Sequence, residues 1–304
     1  MSDPRIAARA SYDLHLHTCW SYDAMTTAEE LFAAASAAGV RRIAITDHHI
    51  VDGLGEAAEA AAKHPDVTFV RGAELTVTCS IGSVDMVCLG ITPQAEEALK
   101  PVWEAYHEWQ REYGAAVSKG LCAMGFDYSD PRREELLRSY RPEAALSVQG
   151  LTHVANKLQR AWFVERGFIP TEEEYGPLLR AAEKHARRPA YPAAEFVLPA
   201  VKEQGVLAII AHPAGYFQRD DRDRMELLRE ELLLDGVECA HQSVPPELTP
   251  IYRTWCEQHG LLSSGGSDLH WHEDVAERIG GHIGPDEWWT EIEARLPRSS
   301  MMNA

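Results

Sequence analysis

No run of about 18 apolar residues occurs in the 304-residue sequence, which excludes an ordinary membrane-spanning helix. The opening MSDPRIAARASYD has no apolar core, so no secretory leader is expected. Six cysteines are present (Cys19, Cys79, Cys88, Cys122, Cys239 and Cys256), none in CxxC or other paired spacing. That excludes a cysteine zinc ribbon and a disulfide framework. Scattered thiols fit a reducing compartment, so a cytoplasmic location is expected. Positive charge is also scarce. With 29 Lys and Arg against 47 Asp and Glu, the formal net charge is −18, which argues against coating extended nucleic acid. Carboxylates in excess could instead serve divalent cations, which would offset their charge locally. Low-complexity stretches and internal repeats are absent.

What is present is an ordinary globular composition, 45% hydrophobic and 25% charged, long enough for one large α/β domain or two smaller ones. Short apolar runs predict strands at 12–16, 42–46, 68–72, 84–89, 206–211, 236–240 and 261–264. Helices are predicted between them at 27–38, 54–63, 194–204 and 246–259. The first has Thr26 or Thr27 to cap it, Glu29 and Glu30 in its first turn, and Gly39 to close it. Such alternation predicts a parallel sheet, wound either into a barrel or into an open doubly wound layer. The rhythm breaks at about 92–192, a mostly helical stretch read as an inserted subdomain. There Trp103, Tyr106, Trp109 and Tyr113 recur at helical spacing, as a packing stripe would. Residues 130–189 are slightly basic within this acidic chain, which suits either a solvated helical face or an anionic substrate.

The predicted strand ends carry the chemistry. A strand sends alternate side chains to the same face, so His15 and His17 form a pair able to chelate a divalent metal. Asp47 and His48 follow the second strand, Glu74 the third, His212 the fifth, and Asp268 with His270 the last. In barrels and open α/β sheets the carboxyl ends of parallel strands converge on one face. One histidine after a strand is ordinarily structural; five strand ends bearing His, Asp or Glu are not a chance pattern. Imidazole and carboxylate without thiolate suit Mn, Fe or Zn, and the donors are too many for one ion.

Taken in order, His15-Leu-His17-Thr, Ser21-Tyr-Asp23-Ala, Ile45-Thr46-Asp47-His48, Gly72-Ala73-Glu74, Ala211-His212-Pro213 and Gly265-Gly266-Ser267-Asp268-Leu269-His270 resemble the motifs of the PHP family, the polymerase and histidinol phosphatase phosphoesterases. The resemblance implies one catalytic domain over 1–304 folded as a distorted (βα)7 TIM-like barrel, with two to three divalent ions (Mn, Fe or Zn) at its carboxyl face. His15, His17 and Asp268 would hold one ion, with Glu74 bridging to a second. His212 and His153 would complete the second site. Asp23, His48 and His270 would hold a third ion. The family's arginine two residues before His153 is replaced by Leu151, which removes one phosphate contact.

Other residues are assigned by position. Asp47 is read as a catalytic-site residue that orients a ligating imidazole. His241, at the end of the 236–240 strand, is read as a catalytic or substrate-contacting group. Arg160 of the insert and Arg219 after His212 are read as phosphate clamps. His49 and His272 sit beside ligands but are expected to point elsewhere. His64, His107, His185, His259 and His282 are expected at the surface.

The resemblance implies hydrolysis of a phosphate ester of a nucleotide or other small phosphorylated metabolite, through a metal-bridging hydroxide. Alternatives are a histidinol-phosphate phosphatase, a cyclic phosphate diesterase, a metal-dependent amidohydrolase and a non-enzymatic metal-binding module. The amidohydrolase reading is weakened because all six lysines fall in predicted helices or loops, away from the strand ends where a bridging carboxylated lysine would sit. No membrane partner is expected.

Overall fold

The computed structural model describes residues 10–282 and 284–303. The chain opens with β1 (Tyr12–Leu16), α1 (Ala28–Ala38), β2 (Arg42–Ile45) and α2 (Leu54–Lys63). Then come β3 (Thr68–Cys79) and β4 (Gly82–Leu89). Six helices follow: α3 (Pro93–Ala98), α4 (Lys100–Ala123), α5 (Asp130–Arg138), α6 (Glu143–Gln149), α7 (Asn156–Glu165) and α8 (Tyr175–Glu183). The chain then returns to the sheet through α9 (Ala194–Glu203), β5 (Leu207–Ile210), α10 (Arg222–Glu231), β6 (Gly236–His241), α11 (Thr249–His259) and β7 (Leu262–Gly266). It ends in α12 (His272–Arg278), α13 (Asp286–Glu293) and β8 (Met301–Met302).

Seven strands lie in sequence order, β1 to β7, and β8 adds to β3. The sheet nearly closes on itself. Across the seam the Asp268 amide donates to the His15 carbonyl at 2.9 Å and the His17 amide to the Leu269 carbonyl at 3.0 Å. Gly266 makes this approach possible: a Cβ there would lie 2.8 Å from the His15 nitrogen and 3.0 Å from its Cα. The buried Asp13 adds to the seam by accepting from Ser267 N at 2.9 Å, Ser267 Oγ at 2.6 Å and Gly280 N at 2.8 Å. This is the distorted barrel that the sequence implied.

One expectation needs correction. β4 runs antiparallel to both β3 and β5. Ser80 and Ile81 alone connect Cys79 to Gly82, and a parallel pair needs a crossover of a dozen or more residues. β3 therefore runs on to Cys79 as a hairpin arm, well past the predicted 72. Reversal brings the first residues of β4 to the face where the other strands end.

Capping explains α1 as the sequence implied. Thr27 and Glu30 form a reciprocal capping box, and Gly39 closes the helix at φ 78. Between β4 and α9, residues such as Leu121, Tyr128, Phe163 and Leu179 form an apolar cluster separate from the barrel core. Helix α4 ties this layer to the sheet. Its Trp103, Tyr106 and Trp109 are buried, and the Tyr106 hydroxyl donates to the Thr76 carbonyl at 2.8 Å. Two of the histidines expected at the surface are buried instead. His282 sits against the Tyr12 carbonyl at 2.6 Å, and His107 is buried on the inner side of α4.

Candidate metal centre

Glu74 is the hub of the carboxyl face. Only 1% exposed, it places Oε2 2.9 Å from His15 Nε2, 3.2 Å from His17 Nε2 and 3.3 Å from His48 Nδ1. Its Oε1 lies 3.2 Å from His212 Nε2. Strand pairing puts it there: β3 runs between β2, which delivers His48, and β4, which pairs with the strand that delivers His212. Asp268 faces the same group from β7. Its Oδ1 is 3.3 Å from His17 Nε2 and 3.5 Å from His15 Nε2 and from His270 Nδ1. On the outer side, Asp23 Oδ2 lies 3.6 Å from both His48 Nε2 and His270 Nε2, while Ser21 donates to its other oxygen at 2.8 Å. The His17 ring stacks between His48 and His270, with centroids 4.5 and 4.1 Å away.

Charge in this cluster is out of balance without cations. Burial penalises every charged group, yet His15 and His48 still hold the Glu74 carboxyl well below the usual carboxylate range. Against the same burial, His48 and His270 lower Asp23 to about 2. The reverse holds for the imidazoles. Although burial opposes it, Asp268 and Glu74 raise His17 to about 9, and Glu74 raises His212 to about 9. Both nitrogens of His17 and Nδ1 of His48 are buried with no hydrogen-bond partner. Orphaned nitrogens among carboxylates are what a divalent ion satisfies, and the imidazole and carboxylate donors fit a transition ion. The donor atoms fall into compact sets: His15, His17, Glu74 and Asp268; His17, His48 and His270; and Glu74, Asp85 and His212.

The profile of the PHP domain matches residues 13–191. The chain belongs to the PHP family. It is a metal-dependent phosphoesterase. Among its relatives is the 3',5'-nucleoside bisphosphate phosphatase of Chromobacterium violaceum, 30% identical over 309 residues, spanning 95% of this chain and 99% of that protein. A 5'-3' exoribonuclease of Haemophilus influenzae is 24% identical over 264 residues, with 85% and 89% of the two chains covered. A solved chain from Bifidobacterium adolescentis, assigned as a metal-dependent phosphoesterase, superposes with a TM-score of 0.72 at 25% identity, covering 94% of this PHP chain and 96% of its own. A Chromobacterium violaceum amidohydrolase with bound sulfate and no metal gives 0.71 at 24% identity over 95% and 98% of the chains, a likeness of fold.

The structure brings His15, His17, Asp23, His48, Glu74, His212, Asp268 and His270 together, and it moves others. His153 does not stand beside His212. Its ring lies 4.0 Å from that of Tyr22 and 4.8 Å from that of Tyr113, on the Asp23 side of the cluster; burial pushes it down to about 3. The place next to His212 is taken by Asp85, whose Oδ2 is 3.7 Å from Nε2 and accepts from the Tyr216 hydroxyl at 2.6 Å. Asp47 orients no imidazole directly. Both of its oxygens are spent on Thr18, at 2.6 Å to N and 2.7 Å to Oγ1, so it holds the turn that follows His17. Arg160 bonds to the Asn156 carbonyl and lies 3.7 Å from Glu172; Arg219 bonds to Glu247 at 2.9 Å. Neither reaches the cluster. His241 does: its Nε2 lies 3.4 Å from Asp268 Oδ2. His49 is buried on Tyr106 and points away, whereas His272 pairs with Glu30 at the surface.

Sequence reading missed Asp85, Glu238 and Tyr216. Asp85 was overlooked because a parallel β4 would have put it at the wrong end of the barrel. Glu238 did carry a signal: a carboxylate inside the apolar run Gly236–His241 must have a partner if that strand is buried.

Proposed function

We propose that this PHP protein is a phosphomonoesterase acting on a nucleotide or another small phosphorylated metabolite. The observation that carries the reading is Glu74, one buried carboxylate within 3.3 Å of four imidazoles drawn from three strand ends, those of β1, β2 and β5. That arrangement suits two to three divalent ions held side by side, of which Mn, Fe and Zn match the donors. When bound, such ions neutralise a transferring phosphoryl group and make water nucleophilic near neutral pH.

The chain's own groups do the rest. His15, His17, Asp268, Asp23, His48 and His270 fix where the phosphoryl oxygens can sit, and Asp85 and His212 border the opposite side. His241 is set up to hydrogen-bond a leaving-group oxygen through its Nε2. The Ser243 amide donates to its Nδ1 at 3.0 Å, so the neutral ring carries its proton on Nε2, the atom facing Asp268.

A nucleoside is favoured by the wall beside Asp23. Half-buried Tyr22 and Tyr113 flank His153, and Tyr191 stacks on Trp109 at 4.1 Å. Planar bases stack on such rings, as the relative that acts on nucleoside bisphosphates makes reasonable. With a formal charge of −18, a small substrate fits better than long RNA. Products formed from a 3',5'-nucleoside bisphosphate, nucleoside monophosphates, histidinol phosphate, a cyclic dinucleotide and 5'-phosphorylated short RNA, resolved by chromatography beside a phosphate-release assay, test this. Turnover of the bisphosphate or monophosphates with Mn²⁺ supports the proposal. Preference for histidinol phosphate, the cyclic diester or RNA overturns it.

A further inference from the structure

Glu238 lies within β6, is 1% exposed, and uses its two oxygens for separate purposes. Oε1 stands 3.1 Å from Nδ1 of His15, on β1. Oε2 accepts the backbone N–H of His212, just past β5, at 2.7 Å. A buried carboxylate is costly unless its oxygens are satisfied, so both contacts are needed. Each also constrains a residue of the metal centre.

Consider His15 first. A carboxylate accepts and cannot donate, so the ring must carry a proton on Nδ1 to bond with it. The neutral ring then presents a lone pair at Nε2, and Nε2 is the nitrogen 2.9 Å from Glu74 and 3.5 Å from Asp268. His212 is constrained in its backbone. It sits at φ 32, a left-handed conformation that a side-chain-bearing residue rarely holds unless its surroundings enforce it. The hydrogen bond from its amide to Glu238 is one such enforcement.

We infer that Glu238 is a positioning residue that sets the tautomer of His15 and clamps the strained backbone of His212. Ligands from β1 and β5 are thereby registered to one another through β6, which neighbours β5 and lies one strand from β1 across the barrel seam. A local irregularity in β6 permits this. The pairing with β7 slips between Glu238 and Ala240, so residues three apart, Glu238 and His241, both face inward; regular alternation would turn one of them away.

Glu238 also lies close enough to His15 and His241 to be imagined as a ligand itself. The two roles exclude one another. A ligand role would require the lone pair of His15 at Nδ1 and its proton at Nε2, facing Glu74.

The test is the ring itself. In ¹⁵N-histidine-labelled, Zn²⁺-loaded protein, with His15 assigned through His15→Asn, long-range ¹H–¹⁵N spectra report which nitrogen carries the proton. The proposal expects protonated Nδ1 and metal-bound Nε2. A proton on Nε2 overturns it. Glu238→Gln is expected to weaken Zn²⁺ binding about 10–100-fold in chelator competition, because the amide can accept from only one of its two partners while Glu238→Asp recovers part of the loss. Wild-type affinity in Glu238→Gln overturns the proposal as well. If Glu238→Gln does not fold, the wild-type tautomer decides alone. These readouts need no substrate, so a protein that hydrolyses no phosphate ester but shows them would sink the proposed function and keep this inference.

Discussion

Replacing Gly266 by alanine strikes the barrel seam and the metal centre together. The new Cβ would be built 2.8 Å from the His15 nitrogen and 3.0 Å from its Cα, against ordinary carbon contacts of about 3.5–4.0 Å. The obstacle is backbone, so no side chain can swing aside. β1 and β7 must part, stretching the 2.9 Å bond from Asp268 N to the His15 carbonyl. Overpacking of this kind costs about 1–3 kcal/mol, and a lost hydrogen bond about 1 kcal/mol more. With an unfolding entropy of about 2.1 cal/mol/K per residue, a total of roughly 3 kcal/mol corresponds to a fall in Tm of about 5 °C for a chain of this size. Activity should fall further, because a displacement of about 1 Å in a positioned group can cost on the order of 10²-fold. Thermal melting and phosphate release, with Gly55→Ala as a control, check this. A Cβ on Gly55, in helix α2, meets nothing within 4 Å, so that variant should be neutral or slightly stabilised. Wild-type Tm and turnover in Gly266→Ala would refute the close-seam geometry.

Asp85→Asn removes a charge beside His212 while keeping the shape that Tyr216 bonds, and should lower metal content or affinity at least about tenfold by elemental analysis. An unchanged metal content would remove Asp85 from the centre. Metal-free protein should lose stability as pH rises. His17 and His212 stand near 9 when folded and near 6.5 when unfolded, so their contribution, on the order of 3 kcal/mol each, is full below 6.5 and gone once pH passes 9. Urea midpoints at pH 6.5 and 9.5 should show this in stripped protein and much less in metal-loaded protein; a midpoint that rises with pH would contradict it.

The motif residues were legible because their spacing reports geometry directly. His15 and His17 share a face by strand alternation, and each further strand end adds a donor to the same side. Reversal of β4 was harder to read. Its evidence is the two-residue connection Ser80-Ile81, which is visible only once β3 is known to continue past Gly72. Asp85 and Tyr216 followed that reversal out of sight. His153 shows a different difficulty: it comes from the layer between β4 and α9, where helix packing and not strand order sets position. Glu238, Asp13 and Asp47 are buried carboxylates that hold ligand-bearing segments through backbone amides or ring nitrogens, and such partners are distant in sequence.

The central claim is that Glu74 joins more than one ion. Anomalous diffraction from crystals of protein purified without chelator measures this directly, by peaks collected on either side of each metal edge. The account predicts at least two peaks within about 2–2.5 Å of Glu74 oxygens, one also touching His15 and His17. A single ion, or ions that leave Glu74 untouched, would contradict it.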